Sequence, residues 1–447
     1  MNFRRQVPNL NSPPLIEMKI QSVEAYQIFD SRGNPTVEAE ITLDCGAKGR
    51  GTVPSGASRG QFEALELRDG DPVHFRGLSV HKAVENIRRT VAPNLMGRDA
   101  TDQSGLDQAL RDLDGTPDKS RLGANCLLAV SMAVANAAAA GQGLPLFRTL
   151  GRGTLLPLPE VQIIGGGAHA NWRTDVQDFL IMPTAAKSYE ETLEVSFNVF
   201  RAAGDLLRER GIYHGVADEG GYWPEFHSNE EIFETLMRAI ERAGYTPGVE
   251  ASLSLDIAAS DLYDEKQGLY RFRLEDQVFD SDAFVELMTG WCRRYPIVSI
   301  EDPMADTDMQ GWRKIRQSLG ADVQIIGDDL FTTNLTRIRQ GILENLANAV
   351  LIKLNQIGTV TETLEAVRLT QEAGWNPVIS ARSGETEDAF IAHLAVATNA
   401  GQLKVGSFSR SERMVKWNEV LRIGRSLGAE ATFLGANCLP CRGGTSS

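Results

Sequence analysis

The sequence predicts an α/β protein, a modified eight-stranded (β/α) barrel preceded by a smaller α+β N-terminal domain. Three observations predict it. The first third reads as strands followed by helices, the order of a small α+β unit. Past a proline-containing joint, apolar strands alternate with amphipathic helices over about 270 residues, the size of one such barrel. The apolar runs of that region also end, one after another, in charged or hydroxyl side chains.

Taken in order, residues 1–17, with Pro8, Pro13 and Pro14, read as a flexible extension. Over residues 36–43, Val37, Ala39, Ile41 and Leu43 alternate with Thr36, Glu38, Glu40 and Thr42, the period of a half-buried strand. Helical patterns at 80–96, 105–113 and 125–140 complete a domain over residues 18–150. The joint is Leu155-Leu156-Pro157-Leu158-Pro159. In the barrel region, 151–430, Ser188 with Glu191, Ser228 with Glu231 and Thr359 with Glu362 have capping-box spacing and predict helix starts. Leu193, Phe197, Phe200 and Leu207 fall on one face of the first of these helices, a core stripe. Residues 431–447 read as a tail.

Bulk properties narrow the function. A chain of 447 residues, 42% hydrophobic and 23% charged, is an ordinary globular one. Its net charge of −14 and lack of Lys/Arg runs argue against nucleic-acid binding, so any anion pocket must be local. Five scattered cysteines form no disulfide framework, and with no signal-peptide core the chain is expected in the cytoplasm. Cys438 and Cys441 make a lone C-x-x-C that lacks the second ligand pair of a zinc site. The longest apolar run, 126–140, reads as too short for a membrane span.

The chemistry gathers at strand ends. Leu253-Ser254-Leu255 ends in Asp256, the run 297–300 in Glu301 and Asp302, and the run 323–327 in Asp328 and Asp329. The run 349–352 ends in Lys353, Val378-Ile379 leads to Ser380, Arg382 and Ser383, and Leu403 leads to Lys404. In a barrel of this type these ends converge at one mouth. Any single acid could equally cap the helix that follows. Three carboxylates meeting at successive strand ends require a hard divalent cation, and an oxygen-only set favours magnesium over zinc, with manganese admissible. Lys353 beside such a cation would give up its proton readily and could act as a general base. Arg382 and Lys404 supply fixed positive charge suited to a phosphoryl group and a carboxylate. Ala217-Asp218-Glu219-Gly220-Gly221-Tyr222 sets adjacent acids before a glycine pair that can turn Glu219 into a cleft. The small-residue loop 54–60 could close over a substrate.

These segments, with Asp30-Ser31-Arg32-Gly33-Asn34-Pro35-Thr36-Val37-Glu38, the run 63–70, Lys353-Leu354-Asn355-Gln356-Ile357-Gly358 and the run 382–388, resemble the enolase family over residues 18–425. The resemblance implies a magnesium-dependent lyase, usually a homodimer or larger homo-oligomer, that converts 2-phosphoglycerate to phosphoenolpyruvate. It implies that Asp256, Glu301 and Asp328 hold one magnesium ion and that Ser58 helps bind a second arriving with substrate. It casts Lys353 as the base at C2 and Glu219 as the acid for the leaving hydroxide. Arg382 and Ser383 would hold the phosphoryl group, with His169 nearby, and Lys404 the carboxylate.

The chain departs from the family's pattern around the substrate. Ala381 stands in Ser380-Ala381-Arg382-Ser383 where the family has His, and Asp178 in Gln177-Asp178-Phe179 draws a pocket carboxylate back by about 1.5 Å, one carbon–carbon bond. Gly165 replaces the usual Asn, Asn171-Trp172-Arg173 replaces small polar residues, and Arg59 replaces a lid Thr. Arg59 and Arg173 add charge that a larger anionic substituent could use. Besides 2-phosphoglycerate, the substrate expected is therefore a phosphonyl analogue, as for the enolase-like carboxyphosphonoenolpyruvate synthase of phosphonate or phosphinate pathways. A weakly catalytic paralogue with a binding role is the third alternative, and the intact Lys353, Glu219 and carboxylates count against it.

Overall fold

The computed structural model describes residues 18–56 and 60–440, apart from the side chain of His169. The proposed extension 1–17, Ser58, Arg59 and Cys441 lie outside the described residues.

The small domain is the antiparallel sheet Ile20–Phe29, Pro35–Leu43 and Lys48–Thr52, followed by helices. The alternation in the second strand is realised, with Val37, Ala39, Ile41 and Leu43 fully buried. The third strand lies directly on the helix Ala124–Gln142 because Gly49 and Gly51 face it. A Cβ at Gly49 would stand 2.0 Å from the Ala137 amide nitrogen, and one at Gly51 would stand 2.3 Å from the Ala129 carbonyl oxygen. This 19-residue helix is longer than the apolar run suggests, and by length and composition alone it could span a bilayer. Its burial under the sheet marks it as a core helix. Of the other helical patterns, 80–96 is broken by a π turn at Ile87–Val91, and 105–113 is the core of the helix Gln103–Asp114.

The barrel is closed by eight strands in chain order: Leu158–Gly165, Asp178–Met182, Ser252–Asp256, Ile297–Glu301, Gln324–Gly327, Ala349–Ile352, Asn376–Ser380 and Gln402–Ser407. Its modification is local. The second strand runs antiparallel to both neighbours, and two helices, Tyr189–Glu209 and Asn229–Arg242, follow it. The connection 166–177 holds only a short 3-10 turn rather than the crossover helix that a parallel return needs. Because that strand runs backwards, its first residue, Asp178, sits level with Asp256, the last residue of the third.

The three predicted caps are formed. Ser188, Ser228 and Thr359 each accept the backbone N–H three residues on, at 3.2 Å. The predicted stripe needs one correction. Leu193, Phe200 and Leu207 are buried, but Phe197 is 44% exposed, with its ring edge-on to Phe408 and under the Arg201 guanidinium. A helical face is too narrow to bury all four, and the true stripe passes through Ser196 and Val199 instead. Part of the joint, Leu155–Leu156, pairs with Thr432–Phe433 in a separate two-stranded sheet, and a 3-10 turn follows at Gly435–Cys438, so the described part of the expected tail 431–447 is folded onto the joint rather than a tail.

Candidate active site

The strand ends converge on a pocket lined by Asp178, Glu219, Asp256, Asp328, Lys353, Arg382, Ser383 and Lys404, among others. Glu301 stands beside Asp256 on the neighbouring strand, paired with it in register. Lys404 is not at a strand end: its strand runs on to Ser407, but Lys404 pairs with Ser380 and so reaches the same level. The backbone is bent sharply where the carboxylates emerge. Asp302 and Ala258 take left-handed φ values of 40° and 48°, strained for residues with a Cβ and typical of functional sites.

Two lysines organise the acids. The Lys404 ammonium lies 2.8 Å from both Asp256 and Glu301 and 3.6 Å from Asp178. Lys353 pairs with Asp328, whose other oxygen accepts from Gln356 at 2.9 Å. Burial alone would raise Asp256, but the adjoining Lys404 charge prevails and holds it at about 2. Burial, then the Asp256 charge, push Glu301 well above the usual carboxylate range. Lys353 differs from the sequence expectation. Burial works against its proton, Asp328 works for it, and the ammonium is held more firmly than in an ordinary lysine. The expected loosening depends on a cation drawing Asp328 away.

Asp302, Asp328 and Asp329 bring carboxylate oxygens within 4.8 Å of one another. Asp302 serves the backbone, accepting from the Asp328 and Asp329 amides at 2.9 and 2.8 Å. Burial and the Asp328 charge raise Asp329 to about 8. The predicted triad of Asp256, Glu301 and Asp328 is brought to the same mouth but divided between Lys404 and Lys353. A divalent cation fits this set. Eight carboxyl groups against three cationic side chains line the cavity, and Glu301 Oε1 is buried without a hydrogen-bond partner. The donors are all oxygens, which suits magnesium.

The anion-binding side is braced across the two domains. Glu63 receives both Arg382 guanidinium nitrogens, at 3.2 and 3.3 Å, and Asn355 accepts from Arg382 at 3.0 Å. The Ser383 hydroxyl is buried and without a hydrogen-bond partner. Ala381 lines the cavity beside them. In the Glu219 loop the glycine pair has two separate duties. Gly220 takes a φ of 95°, and Gly221 leaves room for Gln162, which a Cβ would approach to 2.5 Å. Arg173 does not serve the pocket as expected. It pairs with Glu225 at 3.3 Å and lies over the Trp223 ring. Ser58 and the His169 imidazole lie outside what is described. Sequence reasoning missed Gln162, Gln177 and Glu63 as site residues. Two are uncharged, and Glu63 reaches the site only through the domain contact.

A barrel mouth with convergent acids, one buried and one half-buried lysine and an arginine defines an enzyme of the class that removes a proton beside a carboxylate with metal assistance. Family models described as "Enolase, N-terminal domain" and "Enolase, C-terminal TIM barrel domain" match residues 20–150 and 153–441. The chain is 53% identical over 418 residues to "Enolase 1" of Desulfitobacterium hafniense (strain Y51), covering 93% of this chain and 95% of that one. The chain belongs to the enolase family and is a lyase.

Proposed function

We propose that this enzyme removes the C2 proton of 2-phosphoglycerate and eliminates water to give phosphoenolpyruvate. The observation that carries the reading is the division of the acids between two lysines at the barrel mouth, half-buried Lys353 able to act as a base and buried Lys404 able to receive a carboxylate. Asp256, Glu301 and Asp328 would hold magnesium, with Ser58 helping to hold a second ion. The metal's contribution when bound is to stabilise the negative charge that gathers on the substrate carboxylate.

Lys353 takes the C2 proton on its amine nitrogen, a role open to it once Asp328, its present partner, turns to the metal ligand set it would belong to. Lys404 exchanges its internal carboxylate partners for the substrate's. Arg382, already fixed by Glu63 and Asn355, and the unpartnered Ser383 hydroxyl receive the phosphoryl group, with His169 on the loop before the second strand. Asp178 lines the substrate pocket, and Glu219 donates the proton with which the C3 hydroxyl leaves as water. The soluble lyase is expected to work as a homo-oligomer, most simply a dimer, in the cytoplasm. The test is phosphoenolpyruvate formation from 2-phosphoglycerate with magnesium, abolished by a chelator and restored by the metal.

Ala381 favours a second reading. It leaves the cavity beside Arg382 and Ser383 wider than a larger side chain would, room for a phosphonyl-bearing analogue of 2-phosphoglycerate. Turnover of 2-phosphoglycerate at ordinary enolase rates would eliminate that reading. Proton exchange at C2 without elimination would favour it.

A further inference from the structure

Gln162, in the first barrel strand, is completely buried between two members of the site. Its Nε2 donates to Asp178 Oδ1, and its Oε1 accepts the Gly221 amide at 2.8 Å. The orientation of the amide is fixed by Gly221, whose backbone N–H only donates and so must face Oε1, which turns Nε2 to Asp178. The surroundings are shaped to this one side chain. A Cβ at Gly221 would stand 2.5 Å from Gln162 Oε1, and one at Gly165 would stand 3.3 Å from Nε2 and 2.9 Å from Ala217. Backbone bonds already hold the rest of the Glu219 loop: Tyr222 to Ile163, Gly165 to Tyr222, and Ser407 to the Glu219 carbonyl. Through Gln162, the Gly221 N–H ties that loop to the pocket carboxylate.

We propose that Gln162 is a positioning residue that sets the distance between Asp178 and the Glu219 arm, and so aligns the acid that serves the leaving hydroxyl. Asp178 is short, and the two methylenes of Gln162 span the gap that remains. The requirement is on the combined length of the pair rather than on either residue. Moving one methylene across the bridge, as Gln162→Asn with Asp178→Glu, preserves that length. Gln162→Asn alone withdraws the amide by about 1.5 Å and breaks one of its two bonds. Gln162→Leu keeps the volume and removes both.

This inference rests on the roles proposed above for Lys353 and Glu219, and its test separates the two steps. With magnesium and 2-phosphoglycerate, the rate of solvent deuterium entry at C2 reports Lys353, while phosphoenolpyruvate release reports the Glu219 end. The expected result is that Gln162→Asn and Gln162→Leu lose roughly tenfold or more in kcat for elimination, the worth of one buried hydrogen bond at the transition state. C2 exchange and KM stay within about threefold of wild type. Asp178→Glu in the Gln162→Asn background restores most of the lost kcat. Retained C2 exchange shows a folded site, and if Gln162→Leu does not fold, the Asn single and double variants carry the test. Wild-type elimination rates in the Asn variant, or no recovery in the double variant, would overturn the proposal. Absence of C2 exchange in the wild-type enzyme would instead overturn the proposed reaction.

Discussion

Glu63→Gln probes the brace that joins the small domain to the barrel. Glu63 and Arg382 are 7% and 6% exposed, so the pair is withdrawn from bulk water. Among the described residues the Glu63 carboxylate accepts these hydrogen bonds. Two come from Arg382, one from Gln356 at 3.2 Å and one from the Gly60 amide at 3.2 Å. In the glutamine variant the amide oxygen can keep the three on Oε1. The new NH2 then faces an Arg382 nitrogen, donor against donor, and the guanidinium loses its buried counter-charge. Breaking a buried pair costs about 3–5 kcal/mol. The lower end applies because both residues border the cavity, where water reaches them. Roughly 3 kcal/mol corresponds, for a chain of 447 residues, to a Tm lowered by about 3 °C. The assay is thermal unfolding of both proteins, with and without saturating inorganic phosphate. Part of the loss should be recovered by phosphate, which offers Arg382 a replacement anion. A Tm within about 1 °C of wild type would refute the argument that this contact braces the site.

Two other perturbations follow from the same geometry. Gly49→Ala forces a methyl into the backbone of the core helix at a cost of about 1–3 kcal/mol, so the unfolding midpoint should fall by about 1–3 °C; an unchanged midpoint contradicts the close approach. Asp329 is raised to about 8 by burial and Asp328, above its unfolded value. The folded chain therefore binds more protons than the unfolded one, and chelator-treated enzyme should lose stability as pH rises from about 4 towards 8. Magnesium should flatten that slope, as denaturant midpoints across the range would show, and a slope of opposite sign would contradict the reading.

Much of the site was legible because barrel strands are short and buried on both faces, so the first charged residue after each apolar run marks the mouth. The rule puts Asp256, Glu301, Asp328 and Lys353 at one mouth, where the structure has them. The same rule misjudged Lys404, which lies inside its strand and reaches the mouth only because that strand runs further than Asn376–Ser380. It could not have found Gln162, a neutral side chain whose role depends on two residues brought to it by the reversed second strand. That reversal also escaped the periodicity, since a buried strand carries the same apolar signal in either direction. Phe197 was misplaced for the opposite reason: four apolar residues near one helical face did not reveal which of them the neighbouring elements cover.

The central claim is that Lys353 is the group that removes the substrate proton. Its most direct test is Lys353→Met, incubated with magnesium and 2-phosphoglycerate in deuterium oxide, with C2 followed by proton NMR. The account predicts that deuterium entry at C2 falls by about 10²- to 10⁴-fold, the usual contribution of a general base, while 2-phosphoglycerate still binds. Exchange at the wild-type rate in that variant would contradict it.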